Sequence, residues 1–402
     1  MKLWAGQTVS MFGSGITALA LPLTAVGLLE ATPAQMGLLT ALGALPALAL
    51  GLVAGARVDR RPRRPVLIAA DLGRAALLAL VPILAALERL RMAHLYVLAL
   101  PLSTLELFFD VAYRAFLPTL VGREQLVEGN SKLQMSRSAA EIAAPGLAGG
   151  LVELITAPSA ILLDALSFLV SGLFLGWIKG QEAAPRAAEQ RESLGREIKE
   201  GLSLVVGNRT LRAIAGCEGT LSLFNSALET VFILYVTRGL GIEAGALGLI
   251  FSAGSVGFLV GALASGRASQ RLGLGWAIIG GVLLAAVSDL LVPLAGGATI
   301  VVAVILIASQ FCFGLGLTMY NIGQVSLRQA VTPDALQGRM NGTMYVIGMG
   351  SVPLGGLLGG ALGEMIGLRG TLVVAAVGEI MAAAWLVRSP LRRLREQPVV
   401  AG

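Results

Sequence analysis

The chain has 402 residues, of which 55% are hydrophobic and only 13% charged, about half the charged share of an ordinary soluble domain. That balance excludes a water-soluble fold, and a single histidine with two cysteines excludes most zinc, haem and iron–sulfur sites, which need several such ligands. The net charge of +6 is read first as an excess of Lys and Arg on one side of a bilayer, and not as a nucleic-acid footprint.

A spanning helix needs about 20 apolar residues, and charge-free runs of that length follow one another along the chain. Leu3 to Leu29 carries no charge. It is too long for a cleaved signal and lacks the small-residue cleavage pattern, so it is expected to be retained as the first span. Glu30-Ala-Thr-Pro33 breaks the pattern, and the second run reaches Ala56. Further spans are predicted at 66–88, 94–115, 138–157, 159–179, 210–237, 245–267, 274–296, 299–325, 339–362 and 370–388, twelve in all. Leu290 to Leu327 is charge-free for 38 residues, too long for one crossing, and Pro293 with Gly296-Gly297 supplies the dividing turn. No strand-like alternation offers the barrel solution, so every span is expected to be a helix.

When the loops are assigned alternately to two sides, with Arg74 kept in the loop beside it, the side holding both termini carries 26 Lys and Arg. The other side carries four: Arg89, Arg91, Arg238 and Arg369. Cytoplasmic loops hold the excess of positive charge, which predicts a multi-pass protein of the inner or plasma membrane with both ends in the cytoplasm. Gly180 to Asn208 differs from the rest. Its alternating charge through Arg191, Glu192, Arg196, Glu197, Lys199 and Glu200 predicts a cytoplasmic linker with a surface helix. The expected organisation is an N-terminal six-helix bundle at 1–180, a linker at 181–208, and a C-terminal six-helix bundle with a short tail at 209–402.

The halves repeat. A shift of 211 residues lays Gly37 on Gly248, Gly43 on Gly254, Gly55 on Gly266 and Arg60 on Arg271, and a shift of 208 lays Pro145 on Pro353. Repeated halves are a transporter signature. Small residues let membrane helices approach closely, so the repeated spacing predicts one helix crossing built twice.

The loop after the second span, Gly55-Ala-Arg-Val-Asp59-Arg60-Arg61-Pro62-Arg63-Arg64, resembles the G-x-x-x-D-R-x-G-R-R motif of the major facilitator superfamily, with Pro62 in place of the usual glycine. Gly266-Arg-Ala-Ser-Gln270-Arg271-Leu-Gly273 is similar to the degenerate copy that superfamily carries in its second half. Three further stretches resemble its macrolide-efflux and enterobactin-exporter branch: Leu3-Trp-Ala-Gly-Gln7, Leu117-Pro-Thr-Leu-Val-Gly-Arg-Glu-Gln-Leu126 and Asp164-Ala-Leu-Ser-Phe-Leu169. The resemblance implies an all-α integral membrane protein of the major facilitator fold, twelve helices in two bundles, that works by alternating access. It also implies that Asp59 and Arg60 belong to a cytoplasmic charge network latching the bundles. Gly55, Arg63, Arg64, Arg114, Arg137 and Glu141 are grouped with them as a gate motif. Pro145-Gly-Leu-Ala-Gly149-Gly150 resembles the antiporter motif G-P-x-x-G-G with one extra residue before the paired glycines.

Acids inside a membrane are costly and mark function by default. Glu106, Asp110 and Arg114 recur every four residues, so they share one helix face, with Glu106 about 12 Å deeper than Arg114 by the helical rise. Glu218, Asn225 and Glu229 fall within roughly 40° of one another on the seventh span. Gln7, Ser10, Ser14 and Thr17 on the first span, and Gln310 and Asn321 on the tenth, add polar stripes. In the resembled fold these four helices line the central cavity. Burial favours the neutral acid, whereas water or a nearby cation favours the ionised form. Glu106, Asp110, Glu229 and Glu218 are therefore the expected proton-coupling residues, with Asp110 alternatively paired to Arg114 or Arg137. Asp71 and Arg74, three apart, are expected to pair. Asp289 and Glu379 have no evident role.

These readings predict proton-coupled efflux, by antiport, of amphipathic small molecules such as drugs, macrolides or siderophores. The proton gradient is the energy source; no cofactor, metal or nucleic acid is expected, and the working form is expected to be a monomer in the lipid bilayer. Uptake by symport or uniport is the alternative. A membrane-embedded enzyme is remote, because no nucleophile–base or metal constellation is present.

Overall fold

The computed structural model describes residues 2–58, 62–120, 126–178 and 194–395, and every regular element among them is a helix. The chain divides into two compact units, Met1–Glu189 with Glu243–Ser252, and Gln190–Ile242 with Ala253–Gly402.

The first unit holds α1 (Lys2–Leu23), α2 (Pro33–Val58), α3 (Arg63–Ala86), α4 (Met92–Leu120), α5 (Leu126–Ile155) and α6 (Ala157–Gly176). α1 packs on α5 and α6, α3 on α4 and α6, and α2 on α4. Glycines set the closest of these approaches. A Cβ on Gly13 would run into Asp164 and Ser167 of α6, and one on Gly149 of α5 would meet the backbone of Ala244 and Gly245. α5 extends beyond its apolar span, because its charged end carries its own support: Lys132 pairs with Glu128 at 2.6 Å and Arg137 with Glu141 at 3.1 Å, both one helical turn apart. Substituting Gly149 with Val sets a branched side chain against backbone that cannot yield, and is expected to destabilise the protein by about 1–3 kcal/mol. Thermal unfolding of the detergent-purified variant checks this; an unchanged midpoint contradicts it.

The second unit contains α7 (Leu194–Gly207), α8 (Arg209–Leu234), α10 (Leu274–Asp289), α11 (Leu291–Leu294), α12 (Thr299–Ala330) and α13 (Gln337–Val387). α9 (Ala244–Leu272) gives its first residues to the first unit and the remainder to the second. Asn208 starts α8 by accepting hydrogen bonds from the Thr210 and Leu211 amides, which supplies partners that the first helical turn lacks. The linker helix α7 is more than a solvated connector. Val205 buries with Leu211, Met340 and Met344, and Glu200 forms an ion pair with Arg339 of α13. α13 runs for 51 residues but breaks at Gly367, whose φ of 77° suits glycine and few other residues. Among the described residues, eleven helices are long and apolar enough to cross a membrane. The break at Gly367 divides the last into 337–366 and 368–387, which gives the twelve spans predicted. The turn expected near Pro293 falls between α11 and α12, with Gly297 at a φ of 98°.

The repeated glycines do not behave alike. A Cβ on Gly248 would meet the Pro145 carbonyl and one on Gly254 would touch Gln310, yet one on Gly43 meets nothing within 4 Å. The expectation of one crossing built twice does not hold at Gly43, because glycine spacing marks where approach is permitted and not whether a neighbour occupies the space.

Candidate functional site

The first unit holds a polar-lined cavity of about 830 Å³, within the range of drug-sized ligand pockets. Its walls come from three long helices and one buried cation. α1 contributes Gln7, Ser10 and Ser14, with the Gln7 amide held by a 3.1 Å hydrogen bond to Ser171. α4 contributes Glu106, Asp110 and Arg114 on the face their spacing predicted, interleaved with Phe109 and Tyr113, whose rings stack at 5.9 Å. α5 contributes Arg137 and Glu141, which pair with each other. Among the described residues Asp110 makes no ion pair, so neither Arg114 nor Arg137 is its fixed partner. Thr17 stands apart from the cavity lining, beside Asp164.

Arg74 of α3, inside the span expected at 66–88, also opens onto this cavity, so it does not belong with the loop in whose charge count it was included. It is 7% exposed, bonded to the fully buried Asp71 at 2.6 Å. Its guanidinium lies 4.4 Å from the Phe109 ring centre and 4.1 Å from that of Phe168. A carboxylate and two aromatic faces together replace the water the cation has lost. Removing Arg74 from the loop tally leaves 25 positive residues against four, so the asymmetry survives. The sequence could signal the Asp71–Arg74 pair through its spacing, but not the aromatic sandwich, which depends on helices far apart in the chain.

Of the gate motif, Asp59 and Arg60 lie outside the described residues. Gly55 sits in the last turns of α2. Arg64 is tied to the C-terminal end of α6, donating to the Leu175 carbonyl at 2.8 Å and to the Gly176 carbonyl, where the last carbonyls of a helix are open to added donors. Arg63 begins α3.

In the second unit the predicted polar residues do not form one stripe. Glu218 accepts a 2.9 Å hydrogen bond from the Tyr320 hydroxyl. Glu229 is exposed, Asn321 is exposed, and Gln310 is half-buried against Gly254. Asn225 lies beside Glu379, and Glu379 faces Asp289. These two acids are 0% and 1% exposed, and no donor reaches Glu379 Oε1, Glu379 Oε2 or Asp289 Oδ2 at good geometry. From the sequence, each was expected in an apolar span and had no evident role. Their meeting across α10 and α13, with the charge of Glu229 close by, is a product of tertiary packing.

A polar cavity walled by transmembrane helices, in a chain of twelve spans, defines a multi-pass membrane carrier. The fold matches solved transporters: a bacterial homologue of the iron transporter ferroportin in its inward-facing state, at a TM-score of 0.77 and 15% identity over 96% of this chain and 97% of that one. It also matches the nucleoside transporter NupG, at 0.76 and 14% over 96% and 97%. The chain thus has the major facilitator fold. The transmembrane secretion effector family matches residues 1–401, and the chain belongs to that family. It is 28% identical over 396 residues to the multidrug efflux pump Tap of Mycolicibacterium fortuitum, covering 96% of this chain and 93% of that protein. It is 26% identical over 386 residues to macrolide efflux protein A of Streptococcus pyogenes, covering 92% of each. The family and these relatives are transporters, not enzymes.

Proposed function

We propose that this protein is a proton-coupled exporter of amphipathic small molecules, working as a monomer in the cell membrane with both termini in the cytoplasm and with no bound cofactor. The carrying observation is the stripe of Glu106, Asp110 and Arg114 opening onto a cavity large enough for a drug-sized compound. Carboxylates beside Phe109 and Tyr113 suit substrates that join a cationic or polar face to an apolar one. The two efflux relatives support the outward direction, and the distribution of Lys and Arg supports the orientation. Asp110, lacking an ion-pair partner among the described residues, is free to take up a proton when substrate leaves and to release it when a cation enters.

Asp289 and Glu379 extend the same mechanism into the second unit. Two adjacent buried carboxylates without a cation cannot both remain charged at reasonable cost, so one proton shared between them satisfies the arrangement. Glu229, whose charge lies close to both acids, is the group we assign to exchange that proton. Replacing Glu379 with Gln is expected to remove the pH dependence of transport while the protein still folds, because the amide mimics the protonated acid. A pH profile of export identical to the unaltered protein's contradicts this role.

Export itself is tested by accumulation of a dye or macrolide in a pump-deficient host expressing the protein, with and without a protonophore. Lower accumulation that the protonophore abolishes is expected. Higher accumulation contradicts export and favours uptake.

A further inference from the structure

We propose that a groove at the arginine-rich end of α8 and α13 is a binding site for an anionic phospholipid, the arginines taking the phosphate headgroup and an apolar wall taking an acyl chain. The groove encloses about 770 Å³. Arg209 and Arg212 reach it from the first turn of α8, Arg388 from the end of α13, and Arg392 and Arg393 from the short helix that follows. All five are exposed, and none pairs with an acidic side chain among the described residues; no acid lines the groove. Positive charge at the ends of membrane helices sets topology wherever it falls, but topology does not require five guanidinium groups to converge on one hollow.

The tail is held in place and does not hang free. Leu391 is fully buried, Ser389 accepts from the Leu391 amide at 3.2 Å, and the Leu394 and Arg395 carbonyls accept from the Gly275 and Leu274 amides at 2.9 and 3.1 Å. Arg392 and Arg393 are thus presented from a fixed backbone, which lowers the entropy lost when they bind a ligand.

Away from the charges the groove turns apolar. Met381, Ala384, Trp385 and Arg388 follow one face of α13 by helical spacing, and Met381 and Trp385 are 64% and 49% exposed. Trp385 is oriented by two contacts with α8. Its indole donates to Thr220 Oγ1 at 3.2 Å, and Gly216 leaves the space its ring occupies. Cationic charge above and an aromatic and thioether wall below match the two ends of an anionic phospholipid, and basic pockets between membrane helices are suited to such headgroups. A soluble phosphate compound shares the headgroup chemistry but would leave the apolar wall bare.

The test titrates the delipidated full chain with phosphatidylglycerol, phosphatidylcholine or inorganic phosphate, reading bound lipid by native mass spectrometry. Phosphatidylglycerol is expected to bind about tenfold or more tighter than phosphatidylcholine and to resist millimolar phosphate. The Arg388→Gln, Arg392→Gln, Arg393→Gln triple variant is expected to lose this preference. An Arg267→Gln, Arg271→Gln variant, which removes positive charge from the corresponding end of α9, is expected to keep it. Brominated phosphatidylglycerol should quench tryptophan fluorescence in the unaltered protein and much less in Trp385→Phe, a readout that needs no arginine substitution. Equal binding of both lipids, full displacement by phosphate, or quenching unchanged in Trp385→Phe overturns the proposal. None of these outcomes depends on transport direction or coupling, so the site stands or falls separately from the proposed export.

Discussion

Export by a Glu106→Gln, Asp110→Asn double variant is expected to fall about tenfold or more, a loss equivalent to only about 1.4 kcal/mol of barrier, while the folded protein accumulates normally. Both side chains open onto the cavity, so their replacement by isosteric amides disturbs little packing. What disappears is the ability to exchange charge: an amide neither attracts a cation nor carries a proton away. If export persists at its original rate and stays sensitive to a protonophore, these two acids are not the coupling groups. The single variants divide the roles. Glu106 lies near the charge of both Asp110 and Arg74, so its loss is expected to alter the behaviour of Asp110 as well, and the two effects should not add.

The second large effect concerns stability. Changing Arg74 to Met leaves Asp71 buried with no opposite charge, and truncating one member of a buried pair costs about 3–5 kcal/mol. Asp71 is 0% exposed, its Oδ2 already lacks a partner, and no other cation pairs with it among the described residues. The Arg74→Met, Asp71→Asn double variant removes both charges and is expected to recover most of the loss. Unfolding of the purified proteins in detergent measures this, and a single variant as stable as the parent contradicts it. Transport need not recover with stability, since Arg74 also faces the cavity; a stable but inactive double variant would separate its structural and functional contributions.

The twelve spans were legible in the sequence because crossing a bilayer imposes a length and a composition that few other structures share. The same rule hid the charged start of α5, where the helix begins well before its apolar segment. The Glu106–Asp110–Arg114 face was legible because a single helix fixes it. Arg74 was expected in the third span and paired with Asp71, but its inclusion in the loop charge count failed, because such a count has no way to see two aromatic rings supplied by α4 and α6. Asp289 and Glu379 are 90 positions apart, and nothing local indicates that packing will press their carboxyls together. The docking of α7 through Glu200 and Arg339 was hidden in the same way, inside a segment whose mixed charge suggested only solvent.

Coupling is tested most directly in proteoliposomes holding a pH-sensitive dye, to which a transported macrolide or dye cation is added with no imposed gradient. The account predicts proton movement opposite to the substrate, abolished in the Glu106→Gln, Asp110→Asn variant. Substrate crossing the membrane with no accompanying proton movement, or with protons moving in the same direction, would contradict it.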